Sequence, residues 1–580
     1  MKKKLISLLL AAVMTTSLIA CGNSTEKVAS GTTETPTKES TVASADANDA
    51  PVEVDYYGFE EPVTVKIGVS YASASDFTFY GGETVEKNAW VDLYKANNII
   101  PEILYEVDLS QADTKLSTAI MSGDYPDVFR IKGSEYQNMV ESGAIADISE
   151  VFEKYASDEL KEYMNYDGGM ALGSLYVDGA LYGLPKVTDP YSSAHMMWIR
   201  QDWLDNLGLK VPTTMDELKD VAYAFTYNDP DGDGQNNTYG LALDGINVLN
   251  DSVGNMAPIF EAFGVYLGKN GLTYVDNGSG NITWGGDNSE GMKEALQLLR
   301  DMYADGTIAK DFITMDNESI FAELGAGRAG IWFGPNWGAM NPSIDATKND
   351  INCHMVAAEV PSGNGEVRKA YVSATPSQVY CVSSKCKNPE LLIKLWNLSV
   401  KYQNAQYCTT DEYNMYYGDS ANYSGWKTSI VEGGAPNGRT TNEHLTAAVK
   451  TGDASTLNAK ETENYTSIKA YMDAIEAGTF DPNETALQRG LSLYTVHVDP
   501  QSAWTVIWKK LKDNSYVESA YNGIPSDAVS STAGTLQKLL IETIIKVITG
   551  ADSVDSYDSF LQTWYAMGGQ DAIDEANASK

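Results

Sequence analysis

From Asp229 to Asn237 the chain reads Asp-Pro-Asp-Gly-Asp-Gly-Gln-Asn-Asn. Carboxylates stand at the first, third and fifth places (Asp229, Asp231, Asp233). Gly234 is at the sixth, a main-chain carbonyl at the seventh (Gln235) and an amide at the ninth (Asn237). This is the oxygen-ligand spacing of a calcium loop, in which the glycine allows the bend that wraps the backbone around a hard cation. The twelfth place, which usually carries a bidentate glutamate, is Gly240. A complete shell therefore needs a carboxylate from elsewhere; Asp244 is near in sequence. No open position with a neighbouring base is evident, so the expected Ca2+ is structural, held by Asp229, Asp231, Asp233, Gln235 and Asn237.

A second chemistry lies in Gly327-Arg328-Ala329-Gly330-Ile331-Trp332-Phe333-Gly334-Pro335-Asn336-Trp337. The stretch follows a helical pattern (Ile320, Phe321, Leu324), runs through a short apolar segment and breaks at the turn pair Gly334-Pro335. A tryptophan on a turn at a strand end offers a flat face on which the C–H surface of a sugar stacks. Trp337 has that place; Trp332 sits five residues earlier, inside the apolar run. Taken alone, either ring is equally well explained as core.

Composition narrows the setting. A chain of 580 residues should hold more than one domain. A net charge of −38 argues against a nucleic-acid partner, which needs clustered Lys and Arg. Tyr (35) and Trp (11) outweigh Phe (13), which suits surfaces that meet polar, flat-faced ligands. The five cysteines show no Cys-x-x-Cys spacing and none of the four histidines lies at metal spacing to one, so no zinc site is expected. In an extracellular protein Cys353, Cys381, Cys386 and Cys408 can pair, in an order the sequence leaves open.

The N-terminus explains the setting further. Lys2-Lys3-Lys4 precede an apolar run, 5–14, too short to span a bilayer, and then Leu18-Ile19-Ala20-Cys21-Gly22. This resembles a bacterial lipobox, which implies cleavage before Cys21 and acylation of its sulfur and N-terminus. Residues 1–20 are then a signal peptide and 21–61 a disordered Ser/Thr/Ala-rich tether. Folding is expected from 62, where Val63, Val65, Ile67 and Val69 alternate with polar residues. A helix (84–97), a strand (102–107), a helix opened by Ser110 with Asp113 as a capping pair, and a strand start at 125–129 complete an α/β sheet with parallel pairs. Ligands of such sheets sit beyond the strands' carboxyl ends. That puts Asp76 and the Ser134-Glu135 loop beside a cleft. Thr214 and Glu217 form a capping box, 290–303 an amphipathic helix, 379–382 a short strand, and Asn388-Pro389 a helix start. Residues 404–464 are polar and poorly periodic, so long loops and short helices are expected there; the end is helical again, at 536–548 and about 554–565.

The order of these features carries a resemblance. Lipobox, tether, α/β start, Tyr182-Gly183-Leu184-Pro185, Trp198-Ile199-Arg200-Gln201-Asp202-Trp203-Leu204-Asp205, Gly327-Arg328-Ala329-Gly330 and C-terminal helices follow one another as in the family 1 extracellular solute-binding lipoproteins of ABC transporters, in the long form common in Gram-positive bacteria. The resemblance spans about 62 to the end. It implies an α/β, two-lobed, periplasmic-binding-protein-like fold of class II type with three crossing segments: 62–187 in lobe 1, 188–373 in lobe 2 with the calcium loop at 229–240, and 374–580 shared between both. It further implies an oligosaccharide or glycan ligand, ABC permease partners, no enzymatic activity, and a monomer held on the extracellular face of the cell membrane through its lipid anchor alone. In the maltose-binding relatives a Gly-Pro-Trp turn carries a stacking tryptophan; here one residue is added, as Gly334-Pro335-Asn336-Trp337. Their acidic residue near the first crossing falls near Asp189, with Tyr191 new beside it. Their Asp-Arg sugar contacts fall on Ser134-Glu135, where the arginine is missing. The expected ligand residues are Trp337, Asn336, Tyr191, Asp189, Asp76 and Trp332. Two alternatives stay open. One is a peptide or acidic-sugar binder, for which Arg130, Lys186, Arg200 and Arg328 are the candidate cations. The other is a secreted glycoside hydrolase, which needs two carboxylates at a defined separation.

Overall fold

A computed structural model describes residues 54–578, apart from 72–78, 80, 193, 270, 364, 374–375, 419–424, 437, 522 and 524. Cys21, the signal segment, most of the tether and Asp76 lie outside the described residues.

The molecule has two α/β lobes, each built on its own sheet and core. In the first, the strands Ile99–Asp108, Val63–Tyr71, Val128–Lys132, Gln378–Val382 and Gly183–Pro185 lie side by side in that order. The first three run parallel and the last two antiparallel to their neighbours. The alternation at Val65 and Ile67 turns both side chains into the core. The glycine at 183 is required by packing: a Cβ there would stand 2.7 Å from Val379 Cγ1. In the second lobe the strand order is Met355–Ala358, Met196–Arg200, Ala329–Gly334, Tyr239–Leu241. Helices cover it, among them Met215–Tyr227, opened by the Thr214/Glu217 capping box, and Ser289–Asp305, whose buried stripe is Met292, Ala295, Leu296, Leu299 and Met302.

The chain leaves the first core after Val187 and enters the second at Met196. It returns between Val360 and Val379, then leaves the first core again after Val431. Beyond that point Leu445, Ile468 and Leu493 form a small cluster against Met340 of the second lobe. The C-terminal helices pack on the second core through Leu536, Leu540, Ile544, Trp564 and Ile573.

Four local expectations are corrected or sharpened. The helix at 112–122 is capped by neither Ser110 nor Asp113: its N-cap is Gln111, without a side-chain bond, and Ser110 instead donates to Asp108. Residues 404–464 combine loops and short helices as expected, with longer helices among them. They hold the helices Thr410–Tyr416 and Gly438–Thr451 and the start of Ala459–Ala477. The longest buries Glu461 and Asn464 along with Ile468, so two of its three buried residues are polar and the apolar period is broken. Residues 54–61 are not tether: Lys394 Nζ donates to the Asp55 carbonyl, Asn397 Nδ2 donates to the Tyr56 carbonyl at 2.6 Å, and Lys401 lies 4.5 Å from the Tyr57 ring centroid. All three partners are on the helix Glu390–Gln403. Cys353, Cys381, Cys386 and Cys408 are free thiols.

Below the crossing region a charged pair is sealed into the second lobe. Arg368 and Glu261 pair with side-chain exposures of 1% and 7%. Arg368 also donates to the His195 carbonyl at 3.3 Å. Burial pulls its guanidinium down to about 9.

Candidate functional site

The carboxyl ends of the parallel strands in the first lobe and the end of Ala329–Gly334 in the second face the crossing segments, the position where open α/β sheets bind ligands. A cavity of about 350 Å3 lies along the first crossing, and its lining includes Lys186, Asp189, Ser192, Tyr417, Trp426 and Glu432.

One wall is the first crossing. Asp189 is almost fully buried. Its carboxylate accepts from the Tyr191 N–H at 3.1 Å, an Asx turn two residues long, and from Arg439 Nε at 2.8 Å. Burial pushes this carboxyl above the usual range against the pull of Arg439. The Tyr191 hydroxyl donates to Glu518, and that hydrogen bond, with burial behind it, pushes the phenol up to about 12. The Tyr191 ring meets Tyr516 edge-on at 5.1 Å, and the Arg439 guanidinium lies 5.6 Å from its centroid. Arg439 thus ties the first crossing to the third.

The opposite wall is aromatic. Tyr417 ends the helix Thr410–Tyr416, which a Thr409/Glu412 capping box starts. Trp426 stands on the short turn Gly425–Thr428, with its backbone N–H donating to the Tyr417 carbonyl at 3.2 Å. The two rings lie 6.5 Å apart and 26° from parallel, both part-exposed. Glu432 closes the floor, accepting from Lys186 Nζ at 2.6 Å and Arg130 Nη1 at 3.1 Å. Behind it a second cavity of about 140 Å3 opens into the first lobe, with Tyr94, Phe129, Arg130 and Tyr380 in its lining.

Of the expected ligand residues, Asp189 lines the cavity, and Tyr191 stands two residues further along the same crossing, with its N–H on Asp189, without lining it. Trp337 and Asn336 stand on the second lobe, where Gly334 pairs with Met196 at the start of the strand leaving the first crossing. Trp337 is 42% exposed, but neither residue is among those lining the cavity. Trp332 is a correction. It is fully buried and stacks on Trp198 at 6.3 Å and 12°, because helices cover both faces of its strand. Of the four candidate cations, Arg130 and Lys186 meet at Glu432. Arg200 is buried against Asp202 and the Trp203 ring, and Arg328 pairs on the surface with Glu323. Tyr417, Trp426, Glu432 and Arg439 went unread because they lie in the polar 404–464 segment. The capping boxes Thr409-x-x-Glu412 and Asn458-x-x-Glu461 were the available signal that this segment is ordered.

The acidic loop lies on the second lobe, after the helix Met215–Tyr227. One carboxylate oxygen from each of Asp229, Asp231 and Asp233 lies within 4.8 Å of the others. Gly234 takes a left-handed φ of 78° and its N–H donates to Asp229 at 3.1 Å. The Asn237 amide donates to Asp233 at 3.0 Å and the Gln235 N–H at 2.7 Å. Burial, with the neighbouring charges of Asp233 and Asp229, holds the Asp231 carboxyl up. Three crowded carboxylates fit a cation. Gly240 shows why the twelfth ligand is missing: a Cβ there would meet the Ala222 carbonyl oxygen at 2.4 Å, so no glutamate fits. Asp244 is committed to Asn247 and Asn250.

A family model described as bacterial extracellular solute-binding protein matches residues 87–400. The chain is 29% identical over 282 residues to the polygalacturonan/rhamnogalacturonan-binding protein YtcQ of Bacillus subtilis, covering 48% of this chain and 52% of that protein. It is 26% identical over 300 residues to the fructooligosaccharide ABC transporter substrate-binding protein FusA of Streptococcus pneumoniae, covering 50% and 53%. The chain thus spans about half the length of the curated relatives it matches. Among solved structures it resembles the S. pneumoniae FusA EF-hand mutant in complex with fructo-nystose, with a TM-score of 0.60, 17% identity, and 89% of this chain and 98% of that chain covered. That likeness is one of fold.

Proposed function

The chain belongs to the bacterial extracellular solute-binding protein family, and on that premise we propose that it captures an oligosaccharide between its lobes and delivers it to an ABC permease. The observation that carries the proposal is the paired Tyr417 and Trp426 faces across the cavity from the Asp189–Tyr191 crossing. Flat rings take the C–H faces of sugar rings, and the polar groups around them meet hydroxyls. Trp337 and Asn336 supply the counter-wall on the second lobe when the lobes close about their crossings, a hinge motion driven by the ligand's preference for the closed state. The names of YtcQ and FusA, a polysaccharide binder and an oligosaccharide binder, support the ligand class. Binding is favoured over hydrolysis because Asp189 is held by Arg439 and Glu432 by Lys186 and Arg130, which leaves neither carboxylate of the cavity placed as a general acid. Calorimetry against oligosaccharides and peptides tests the proposal. Glycan binding without product release is the expected result; peptide binding alone, or cleavage of a bound glycan, would sink it.

In the same proposal Cys21 carries the lipid that holds the protein on the extracellular face of the membrane. Among the described residues no helix is long and apolar enough to cross one, and one acylated terminus gives an attachment on the surface. Changing Cys21 to Ser is expected to move the protein from the membrane fraction to the medium; retention in the membrane fraction would refute the anchor.

The acidic loop is proposed to hold a structural Ca2+ through Asp229, Asp231 and Asp233 with the Gln235 carbonyl, water completing the place that Gly240 leaves. The existence of an EF-hand in FusA supports this. The ion supplies charge neutralisation and a fixed loop. Chelation is expected to lower the melting temperature by mass action, and the Asp231→Asn variant to lose that response. A melting temperature indifferent to calcium in the parent would count against the site.

A further inference from the structure

We propose that Tyr191 is a positioning residue of the hinge: it ties the three crossings into one small core that fixes how the lobes pivot, and it does not touch the solute. The inference rests on the reading above, in which the lobes close on a ligand, and names the residues that govern the closure.

Linking segments that pack on nothing let two lobes take up a wide spread of orientations. Here they are packed. Ala194 of the first crossing and Ala370 and Val372 of the second are buried together, with Tyr191 and Tyr516 against them, in a cluster separate from both lobe cores. Tyr516 comes from the strand Tyr516–Glu518, which pairs in parallel with Ala370–Val372 of the second crossing. That strand follows the helix Ala503–Lys512, whose Ala503, Trp504, Val506 and Ile507 belong to the second lobe's core.

Tyr191, on the first crossing, is where the three meet. Its ring lies edge-on to Tyr516, its carbonyl accepts from the Tyr516 hydroxyl at 3.5 Å, and its own hydroxyl donates to Glu518. It is thereby fastened to the ladder of the second crossing. Arg439, just past the third crossing, lies 5.6 Å from the Tyr191 ring centroid and holds Asp189 two residues earlier. The same guanidinium lies 5.8 Å from the ring centroid of Tyr166, which packs on the first lobe's core. The contacts therefore run from a strand of the second lobe, through all three crossings, to the first lobe. Packed side chains have discrete arrangements and do not deform continuously, so a rotation that preserves this core is favoured and others are resisted. Capture then starts from lobes already near their closing path, and less ordering entropy opposes it. Tyr191 lines no part of the cavity, which leaves its ring to the hinge.

The experiment is small-angle scattering of the secreted chain without ligand, with Tyr191→Ala, Tyr516→Ala and the double variant beside the parent, followed by stopped-flow binding of a fructooligosaccharide or a polygalacturonan oligomer, whichever the parent takes up. Both single variants are expected to broaden the pair-distance distribution of the free protein. Their affinity is expected to fall about tenfold, as the fraction of molecules poised to close falls, and mostly through the association rate. The double variant is expected to lose little more than either single one, because the contacts act as a unit. Tyr516→Phe keeps the ring and is expected to behave as the parent, which separates lost packing from misfolding. Parent-like scattering in both alanine variants would overturn the inference, as would weakening by Tyr191→Ala alone through faster dissociation, the mark of a residue that touches the ligand. If the parent binds neither sugar, the oligosaccharide proposal loses its ground while the scattering still decides the hinge.

Discussion

Replacing Trp426 with alanine is expected to weaken glycan binding about thirtyfold, with the melting temperature unchanged within a degree or so. The magnitude follows from the usual cost of truncating an aromatic anchor, about 2 kcal/mol or more, with each 1.4 kcal/mol worth about tenfold in affinity. The separation of binding from stability follows from placement. Trp426 is part-exposed on a short turn and belongs to none of the buried clusters, whereas Trp332, Trp198 and Trp396 are fully buried in them. Trp337→Ala is the matched comparison on the other lobe, with a smaller loss because the ring acts only once the lobes have closed. Titration calorimetry of parent and variants with one bound oligosaccharide measures the effect. Unchanged affinity in Trp426→Ala would remove the aromatic wall from the binding account and return the choice to Trp337.

Glu261→Ala is expected to cost about 3–5 kcal/mol of stability, the range for removing one partner of a buried ion pair. The reason is the partner left behind. Arg368 is enclosed, burial already disfavours its charge, and among the described residues its guanidinium otherwise donates to the His195 carbonyl at 3.3 Å. Without Glu261 the guanidinium must stay charged and unpaired or drag water into the second lobe. Lys510 adds to the cost, because its ammonium donates to the Arg368 carbonyl and repels the same guanidinium; burial already pulls Lys510 down to about 7. Urea unfolding of Glu261→Ala, Arg368→Met and the double variant Glu261→Leu/Arg368→Met resolves the matter. The double variant is expected to recover most of the loss, since two apolar groups of similar volume leave no uncompensated charge. A double variant as unstable as Glu261→Ala would show that the pair's role is shape and not charge.

The elements that the sequence made legible are those whose periodicity is set by burial on one side. Val65 and Ile67 alternate because one face of their strand meets the core, and Met292, Leu296 and Leu299 recur at helical spacing for the same reason. The Thr214/Glu217 cap and the Asp229–Asp233 loop were legible because local hydrogen bonding and ligand geometry demand fixed offsets. The cavity was not. Its walls come from 186–192, Gln403 and 417–438, brought together only by the crossings, and no local period records such a meeting. Trp332 was misassigned for a related reason. A strand covered on both faces loses its alternation, so Ile331, Trp332 and Phe333 are all buried, and a ligand-facing ring cannot be told from a core ring by type. Asp189 was legible only through the resemblance, as the acidic residue near the first crossing, and Arg439, which holds it from 250 residues away, carried no sign of that partnership.

The strand Gln378–Val382 sits between Val128–Lys132 and Gly183–Pro185 in the first lobe's sheet, although the chain reaches it only after building most of the second lobe. This fixes an order of assembly. During synthesis Val128–Lys132 has one sheet neighbour and an open edge carrying Phe129 and Ile131, and Gly183–Pro185 has no partner. Closing that edge requires loop closure over some two hundred residues, an entropic toll that local contacts do not repay until late. An open apolar edge is a template for pairing with another chain. The second lobe is therefore free to condense around Met196–Val360 while the first waits for its fourth strand, and a chain stopped short of residue 378 leaves behind a sticky sheet in place of half a binding protein.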